Sequence, residues 1–257
     1  MEKEREMAIL LNRPEQVADE HYMMKIKIPG AIFNPGEFIN IKTAEGTDPL
    51  LRRPFSIFDA DGDVATIIIR VVGKGTELLS RWEPGDINVI GPTGTGFTME
   101  ENKNLLLVGG GVGNAPLFYL LKELKKRGNR VTYIYCARSS SYLFYPEMFE
   151  KIADEFIITT DDGTAGIKGF ATDVMKDKIS SDQFHRVYCC GPDPMMRKTA
   201  SLVHPDTEIE VSMENYFGCG VGICVGCTVD TVDGYKRACI DGPVMDGRKI
   251  LWENMPH

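Results

Sequence analysis

The stretch NLLLVGGGVGNAPLFYLLKEL, residues 104–124, reads as a short buried strand, a glycine-rich turn and the beginning of a helix. Four leucines follow the turn at positions i, i+3, i+4 and i+7, namely Leu117, Leu120, Leu121 and Leu124. That spacing places them on one face of a helix. A glycine turn between a strand and a helix is typical of a loop that binds nucleotide phosphates, so this stretch predicts a nucleotide-binding α/β domain.

The turn itself, GGGVGNAP, leaves a second interpretation open. It departs from the dinucleotide-binding pattern G-x-G-x-x-G because Asn114 occupies the position of the last glycine. A glycine turn that only packs the helix against the strand is therefore the alternative to a phosphate loop.

The alternation of strand and helix continues on the carboxyl side of this stretch. Strands are predicted at residues 104–108, 130–137, 155–160 and 185–190, and helices at residues 146–152, 171–178 and 194–203. Such alternation favours an open, mostly parallel sheet with helices on both faces. We therefore assign residues 99–210 to a Rossmann-like α/β domain.

The N-terminal part has a different residue pattern. Residues 23–28, 37–42 and 65–72 are rich in β-formers, and the turn sequences NPGE, DADGD and EPGD lie between such segments. Several short strands separated by turns favour a small antiparallel barrel, which we place in residues 1–98. Residues 211–257 return to short strands and loops, and Asp233-Gly234 between two β-prone runs predicts a hairpin.

The C-terminal part carries the most specific signal, CGVGICVGC in residues 219–227. With a further cysteine downstream the spacing is C-x4-C-x2-C-x11-C, formed by Cys219, Cys224, Cys227 and Cys239. This spacing is typical of a plant-type [2Fe–2S] site. The intervening Gly220, Gly222 and Gly226 are expected to adopt positive φ and let backbone N–H groups approach sulfur.

Structural zinc is the alternative ligand for four thiolates. Zinc ribbons usually carry two matched C-x2-C pairs, which the x4–x2 asymmetry does not provide. The other three cysteines, Cys136, Cys189 and Cys190, fall in predicted strands and are interpreted as ordinary reduced core residues.

Composition limits the class of protein. The chain has 257 residues and a net charge of −8, so it is a poor candidate for binding nucleic acid or an anionic membrane surface. No apolar run approaches the roughly 20 residues of a membrane span. The charged start MEKEREM does not resemble a secretory signal, so we expect a cytoplasmic protein with reduced thiols.

Three further motifs are ambiguous on physical grounds alone. In LLRRPFSIFD, Arg53 could hold a pyrophosphate, Phe55 could flank a planar ring and Ser56 could donate to a ring nitrogen, or the segment could be an edge strand with solvated arginines. GKGT, residues 73–76, offers backbone amides for phosphate or forms only a turn. CCGPDPMM, residues 189–196, ends a strand either at a ligand site or simply at a proline.

Taken in order, the motifs RPFS, GKGT, GPTGTGF, GGGVGNAP, CGP and the four cysteines resemble the ferredoxin-reductase superfamily. Within it the chain is similar to the electron-transfer subunits of NAD-dependent bacterial dihydroorotate dehydrogenases, above all in LLRRPFSI, TDDGTAGIKGFATD and KRACIDGPV. The resemblance covers nearly the whole chain. It implies an FAD-binding β-barrel, an NAD-binding α/β domain and a small C-terminal [2Fe–2S] lobe.

The resemblance also implies site residues. Those expected to contact FAD are Arg53, Pro54, Phe55, Ser56, Ile68, Ile69, Arg70, Gly75 and Thr76. Those expected at the nicotinamide are Gly110, Gly111, Cys190, Gly191 and Pro192. Two departures, Asn114 and the lack of a basic residue in ENYFGCG, concern fine specificity and partner contacts.

The implied activity is electron transfer in pyrimidine biosynthesis. Electrons would come from an FMN-containing dihydroorotate dehydrogenase subunit, in a heterotetramer of two plus two subunits, and reach NAD+ through the cluster and FAD. Two alternatives stay open. One is the matching subunit of a sibling complex, such as a ferredoxin:NADP oxidoreductase or an anaerobic sulfite reductase, and the other is a zinc-bearing nucleotide-binding regulator.

Overall fold

The computed structural model describes residues 7–255, so most of the charged start on which we based the absence of a secretory signal lies outside it. The strands are β1 Ala8–Leu10, β2 Glu15–Ala18, β3 His21–Lys27, β4 Phe38–Ile41, β5 Arg53–Asp61, β6 Val64–Arg70, β7 Gly85–Ile87, β8 Val89–Thr93, β9 Asn104–Gly110, β10 Arg130–Ala137, β11 Glu155–Thr160, β12 Ile167–Lys168, β13 Arg186–Cys190, β14 Glu208–Ser212, β15 Thr228–Thr231, β16 Gly234–Arg237 and β17 Val244–Asp246. The helices are α1 Lys74–Leu79, α2 Asn114–Lys126, α3 Pro146–Glu150, α4 Ala171–Ser181 and α5 Asp193–Leu202, with 3-10 turns at Gly111–Gly113, Ser140–Tyr142 and Trp252–Asn254.

The first eight strands form an antiparallel sheet that is nearly closed into a barrel. Its order is β7-β1-β3-β6-β5-β4-β8, with β2 paired to β3. The two edge strands, β7 and β8, are separated by the single residue Asn88, so the chain itself brings the edges of the sheet together. Alternate side chains fill the interior, because successive residues of a strand point to opposite faces. This confirms the predicted barrel.

One helix of the barrel region was not predicted. The GKGT motif predicts either a phosphate-binding segment or a turn, whereas Lys74, Gly75 and Thr76 begin helix α1 and Gly73 is its N-cap. Glycines at positions 73 and 75 lower the helical propensity of this segment, so its local sequence does not favour a helix. The helix is stabilised instead by the packing of Leu79, which is fully buried in the barrel core.

The second sheet has the order β12-β11-β10-β9-β13-β14-β17. Its neighbouring strands pair in parallel except for β14 and β17, which pair antiparallel with each other. Its two faces are covered by different helices. Leu117, Leu120, Leu121 and Leu124 of α2 pack with Leu105 and Leu107 of β9 on one face. Met175 of α4 and Met196 of α5 pack with Leu106 and Val108 on the other. The predicted stripe on α2 and the mostly parallel sheet are confirmed.

Helix α2 also joins the two sheets. The ring of Phe118 stacks on that of Phe58 in β5, with centroids 4.5 Å apart. Tyr119 donates a 3.1 Å hydrogen bond from its hydroxyl to the carbonyl oxygen of Phe33. Since the helix that follows the glycine turn rests directly on the barrel, the turn is placed beside β5 and β6.

The C-terminal segment returns to the α/β sheet. Strand β17 pairs antiparallel with β14, so the lobe is attached at an edge of that sheet. The predicted hairpin is formed by β15 and β16, but its two-residue loop is Val232-Asp233, and Gly234, with φ +92°, begins β16. Among the helices of residues 7–255, none is long and apolar enough to cross a membrane.

Candidate functional site

A cavity of about 540 Å3 opens where the barrel, helix α2 and the C-terminal lobe meet. Eight of the nine residues expected to contact FAD line it: Arg53, Pro54, Phe55, Ser56, Ile68, Arg70, Gly75 and Thr76. They come from the consecutive elements β5, β6 and α1. The structure therefore brings together in one cavity segments whose individual signals were ambiguous.

Arg53 lines the side of this cavity that β5 and α1 form. Strand β5 runs between β4 and β6, so the alternative of an edge strand with solvated arginines is wrong. The guanidinium donates to the carbonyl oxygen of Leu51 and rests against Gly75. A methyl group at Gly75 would lie 2.6 Å from Arg53 Nε, so glycine is what lets the charge face the α1 turn. Arg70 and Lys74 line the same wall, where they form ion pairs with Glu20 and Asp48 respectively.

Two predicted contacts differ in detail. The side chain of Ile69 is fully buried in the barrel core and does not line the cavity, because it points to the opposite face of β6 from Ile68. The hydroxyl of Thr76 is engaged within its own turn, where it accepts a 3.0 Å hydrogen bond from the Val72 N–H and donates one of 3.0 Å to the Gly73 carbonyl.

A second cavity of about 450 Å3 lies at the carboxyl ends of the parallel strands. Gly110, Gly111 and Pro192 line it, as expected for the nicotinamide side. Carboxyl ends of parallel strands are where open α/β sheets bind ligands. Arg70 lines this cavity as well as the first one, so the two cavities are adjacent.

The other two residues predicted here are structural neighbours of the cavity. Cys190 is buried and Gly191 packs directly on the backbone of Gly110, where a methyl group would meet Gly110 Cα at 3.1 Å. Burial raises the pKa of Cys189 to about 12 and that of Cys190 well above its usual value. With Cys136, which is also buried and free, they are core cysteines, as predicted.

Asn114 explains the departure of the glycine turn from G-x-G-x-x-G. It is fully buried, donates from Nδ2 to the Gly111 carbonyl at 2.9 Å and accepts at Oδ1 from the Tyr133 hydroxyl at 3.0 Å. A methyl group at Gly109 would lie 2.7 Å from Asn114 Cγ. The asparagine therefore links the turn to β10 by hydrogen bonds, and it occupies the position of the last glycine in G-x-G-x-x-G.

The four cysteines of the C-terminal lobe form two pairs. The Cys224 N–H donates to Cys219 Sγ at 3.4 Å, and the Ala238 N–H donates to the Cys227 carbonyl at 2.9 Å, which brings the neighbouring Cys239 beside Cys227. A [2Fe–2S] cluster takes two thiolates on each iron, whereas structural zinc takes four on one ion. The paired thiols fit the cluster.

Backbone N–H groups surround the sulfur atoms of Cys219 and Cys224. Val221 and Cys224 each donate to Cys219 Sγ at 3.4 Å, and Gly226 donates to Cys224 Sγ at 3.5 Å. The Cys224 and Val221 N–H groups lower the pKa of Cys219 to about 6, which favours the thiolate. Burial and the neighbouring Cys227 raise the pKa of Cys239 to about 12.

Backbone conformation in this loop follows the prediction in part. Gly220 and Gly222 have φ +69° and +79°, as expected, but Gly226 does not adopt a positive φ. Val225 has φ +50° instead. A β-branched residue in this region costs about 1–2 kcal/mol, so the loop holds Val225 against its own preference.

The two pairs differ in accessibility. Cys224 is exposed and Cys219 partly so, whereas Cys227 and Cys239 are buried. The buried pair belongs to the same core as Phe38 and Phe217, whose rings lie 4.9 Å apart. Both rings also line the first cavity. Cys227 and Cys239, the inner pair, are therefore buried in the core that supplies part of the cavity wall, and Cys219 and Cys224, the outer pair, lie nearer the surface.

Sequence reasoning missed the part of the first cavity that the C-terminal lobe supplies. These residues are Met213, Glu214, Asn215, Phe217 and Pro243. It also missed His21, which lines the second cavity and is buried with its Nδ1 2.7 Å from the Asp19 carbonyl oxygen. Burial lowers the pKa of His21. No local pattern marks these residues, because they reach the cavities from distant parts of the chain.

Comparison with known proteins agrees with this geometry. The family described as "Iron-sulfur cluster binding domain of dihydroorotate dehydrogenase B" matches residues 214–251, and "Oxidoreductase NAD-binding domain" matches residues 107–201. The chain is 38% identical to the electron transfer subunit of dihydroorotate dehydrogenase B (NAD(+)) from Bacillus pumilus (strain SAFR-032), over 95% of this chain and 96% of that protein.

The corresponding subunit of Geobacillus kaustophilus (strain HTA426) is 40% identical over 84% of this chain and 86% of its own length. Among solved structures, a chain of the NADH-dependent reduced ferredoxin-NADP oxidoreductase superposes with a TM-score of 0.87 and 32% identity. The match covers 98% of this chain and 92% of that one.

Proposed function

Since the chain belongs to the family of electron transfer subunits of dihydroorotate dehydrogenase B, we propose that it carries electrons between a partner subunit that oxidises dihydroorotate and NAD+. Its own cofactors are FAD and a [2Fe–2S] cluster, and its role is in pyrimidine biosynthesis. The observation that carries this proposal is the arrangement of three neighbouring sites, namely the paired cysteines, the cavity lined by Arg53 and the cavity lined by Gly110.

When bound, FAD exchanges hydride with nicotinamide and single electrons with iron–sulfur centres, which makes it the converter between the two. The residues of this chain bind the cofactors and orient them. Arg53 supplies charge for a diphosphate, Phe55 and Ile68 form apolar wall, and Ser56 offers a hydroxyl. Gly110 and Gly111 leave room for a nicotinamide beside Arg70. Cys219, Cys224, Cys227 and Cys239 hold the cluster.

The partner surface that we propose surrounds the outer cysteines. Tyr216, Val221, Ile223 and Val225 expose apolar side chains around Cys224, and Ile223 is 82% exposed. A cluster of exposed apolar residues beside a redox centre marks a protein contact, because it is costly to leave in water. We place there an FMN-containing catalytic subunit, in an assembly of two plus two chains.

Ile223→Glu is expected to weaken binding of the catalytic subunit, because it puts a charge at the centre of the apolar contact. The expected loss is at least about tenfold in affinity, measured by co-purification and by titration of the partner. Ile167→Glu is the matched control, since Ile167 is 51% exposed in the nucleotide-binding domain. Cluster and FAD content stay at wild-type levels in both variants. Wild-type affinity of Ile223→Glu would place the interface elsewhere.

The function is tested with the purified chain and a catalytic subunit. We expect a brown protein that oxidises NADH with an artificial acceptor but does not turn over dihydroorotate. Addition of the FMN-containing subunit should give dihydroorotate-dependent NAD+ reduction. Dihydroorotate oxidation by the single chain would overturn the division of labour that we propose, and a colourless chain would favour a zinc-bearing regulator.

A subunit of a ferredoxin:NADP oxidoreductase is the second candidate, and the superposition with a TM-score of 0.87 favours it. The same assay separates the two, because that candidate predicts no response to the dihydroorotate-oxidising subunit. We also propose a cytoplasmic location. A reducing compartment would keep the four ligand thiols available to the cluster.

A further inference from the structure

Asn40 lies in β4 between the barrel and the C-terminal lobe. Ile39 and Ile41 point into the barrel core, so Phe38 and Asn40 point out of it on the opposite face of the strand. Phe38 packs against Phe217 of the lobe. The Asn40 amide is directed at the same lobe, where it abuts Gly220, the residue after Cys219.

The amide of Asn40 is buried without a hydrogen-bonding partner. Its residue has no exposed surface, and neither Nδ2 nor Oδ1 has a partner among residues 7–255. A polar group buried in this way is destabilising when unpaired, because it has given up its hydrogen bonds to water. An aliphatic residue of the same size would avoid this cost, as Ile39 and Ile41 do on the other face. The position therefore fits a partner that is not a protein atom of this chain.

The loop that holds the cysteines is shaped to receive this amide. Gly220 has φ +69°, and a methyl group there would overlap Asn40 Nδ2 and lie 2.8 Å from its Cγ. Two features of Gly220, its left-handed backbone and its missing side chain, thus allow Asn40 to reach the loop beside Cys219. On its other side Asn40 pairs in register with Pro54, next to Arg53 in the first cavity.

Building on the proposed [2Fe–2S] site, we propose that Asn40 donates a hydrogen bond from Nδ2 to sulfur of the cluster on its Cys219 side. Cys219 Sγ already accepts from the backbone of Val221 and Cys224. Asn40 adds a donor from the flavin-binding barrel, so it joins the barrel to the cluster. Hydrogen bonds to sulfur stabilise the more negative reduced state and thereby raise the reduction potential.

The test uses Asn40→Leu, which keeps the volume and removes both polar atoms, and Asn40→Asp, which keeps the shape and loses the donor. Thr43→Val is the control, because Thr43 is also a buried barrel residue whose Oγ1 has no partner in the described chain. The holoproteins are compared by iron and sulfide content, EPR spectrum of the reduced cluster, potentiometric titration and release of iron to a chelator.

Both Asn40 variants are expected to lower the cluster potential, shift the EPR g-values and release iron about tenfold faster, the lower end of the range for lost outer-shell partners. FAD content should stay unchanged, and Thr43→Val should match the wild type. Loss of the cluster with FAD retained also supports the inference. A wild-type potential, EPR spectrum and release rate in either Asn40 variant would overturn it. A wild-type chain that contains no [2Fe–2S] cluster would instead overturn the proposed function.

Discussion

Replacing Cys224 with serine is expected to remove the iron–sulfur cluster and leave FAD bound. Cys224 is the exposed member of the outer pair, so serine does not disturb the core. A serine hydroxyl is a much poorer ligand for iron than a thiolate, and cluster binding by the remaining three thiols should fall by at least about 100-fold. Most of the iron and acid-labile sulfide should therefore be lost during purification.

The same variant should lose one activity and keep another. Dihydroorotate-dependent NAD+ reduction with the catalytic subunit should fall to background, while NADH oxidation with an acceptor that reacts at the flavin should persist. Cys189→Ser is the matched control, because Cys189 lies in the core of β13 and its thiol has a pKa raised by burial to about 12. Unchanged iron and sulfide in Cys224→Ser would mean that this cysteine is not a ligand.

Replacing Arg53 with alanine is expected to release the flavin. A hydrogen bond between a guanidinium and a phosphate contributes about 1.5–3 kcal/mol, which corresponds to roughly one to two decades of affinity. The measurement is the dissociation constant of FAD by titration of the apoprotein. The cluster should keep its EPR spectrum, since Arg53 does not belong to the lobe that carries the cysteines.

The neighbouring Arg52 provides the control for that experiment. Its guanidinium donates to the Asn88 carbonyl at 3.1 Å and to Asn88 Oδ1 at 2.5 Å, and it does not line the cavity. Arg52→Ala should therefore bind FAD with wild-type affinity. If both variants bind FAD as the wild type does, Arg53 is not a flavin-binding residue. If both lose it equally, the effect comes from β5 and not from the charge in the cavity.

The α/β domain was predicted well because its signals are local. The leucine stripe of α2 and the apolar strands β9, β10 and β11 carry their periodicity within a few residues, and helices and buried strands depend on that periodicity. The cysteine spacing is local in the same sense, since one loop supplies Cys219, Cys224 and Cys227. These features, and the resemblance built on them, could be read without a structure.

The barrel was predicted less completely. The short strands β1, β7 and β8 have three to five residues and no alternation long enough to detect, and they exist because neighbouring strands pair with them. Helix α1 forms against the preference of its glycines, since burial of Leu79 outweighs helical propensity.

Only the tertiary structure decided which residues meet. Met213 and Phe217 join Arg53 in one cavity although more than 150 positions separate them in the chain, and Asn40 meets Gly220 across a similar distance. The unpaired amide of Asn40 and the positive φ of Val225 are likewise invisible in the sequence. Local sequence determines periodicity and ligand spacing. Contacts between segments that are distant in the chain depend instead on how the barrel, the α/β domain and the C-terminal lobe pack against one another.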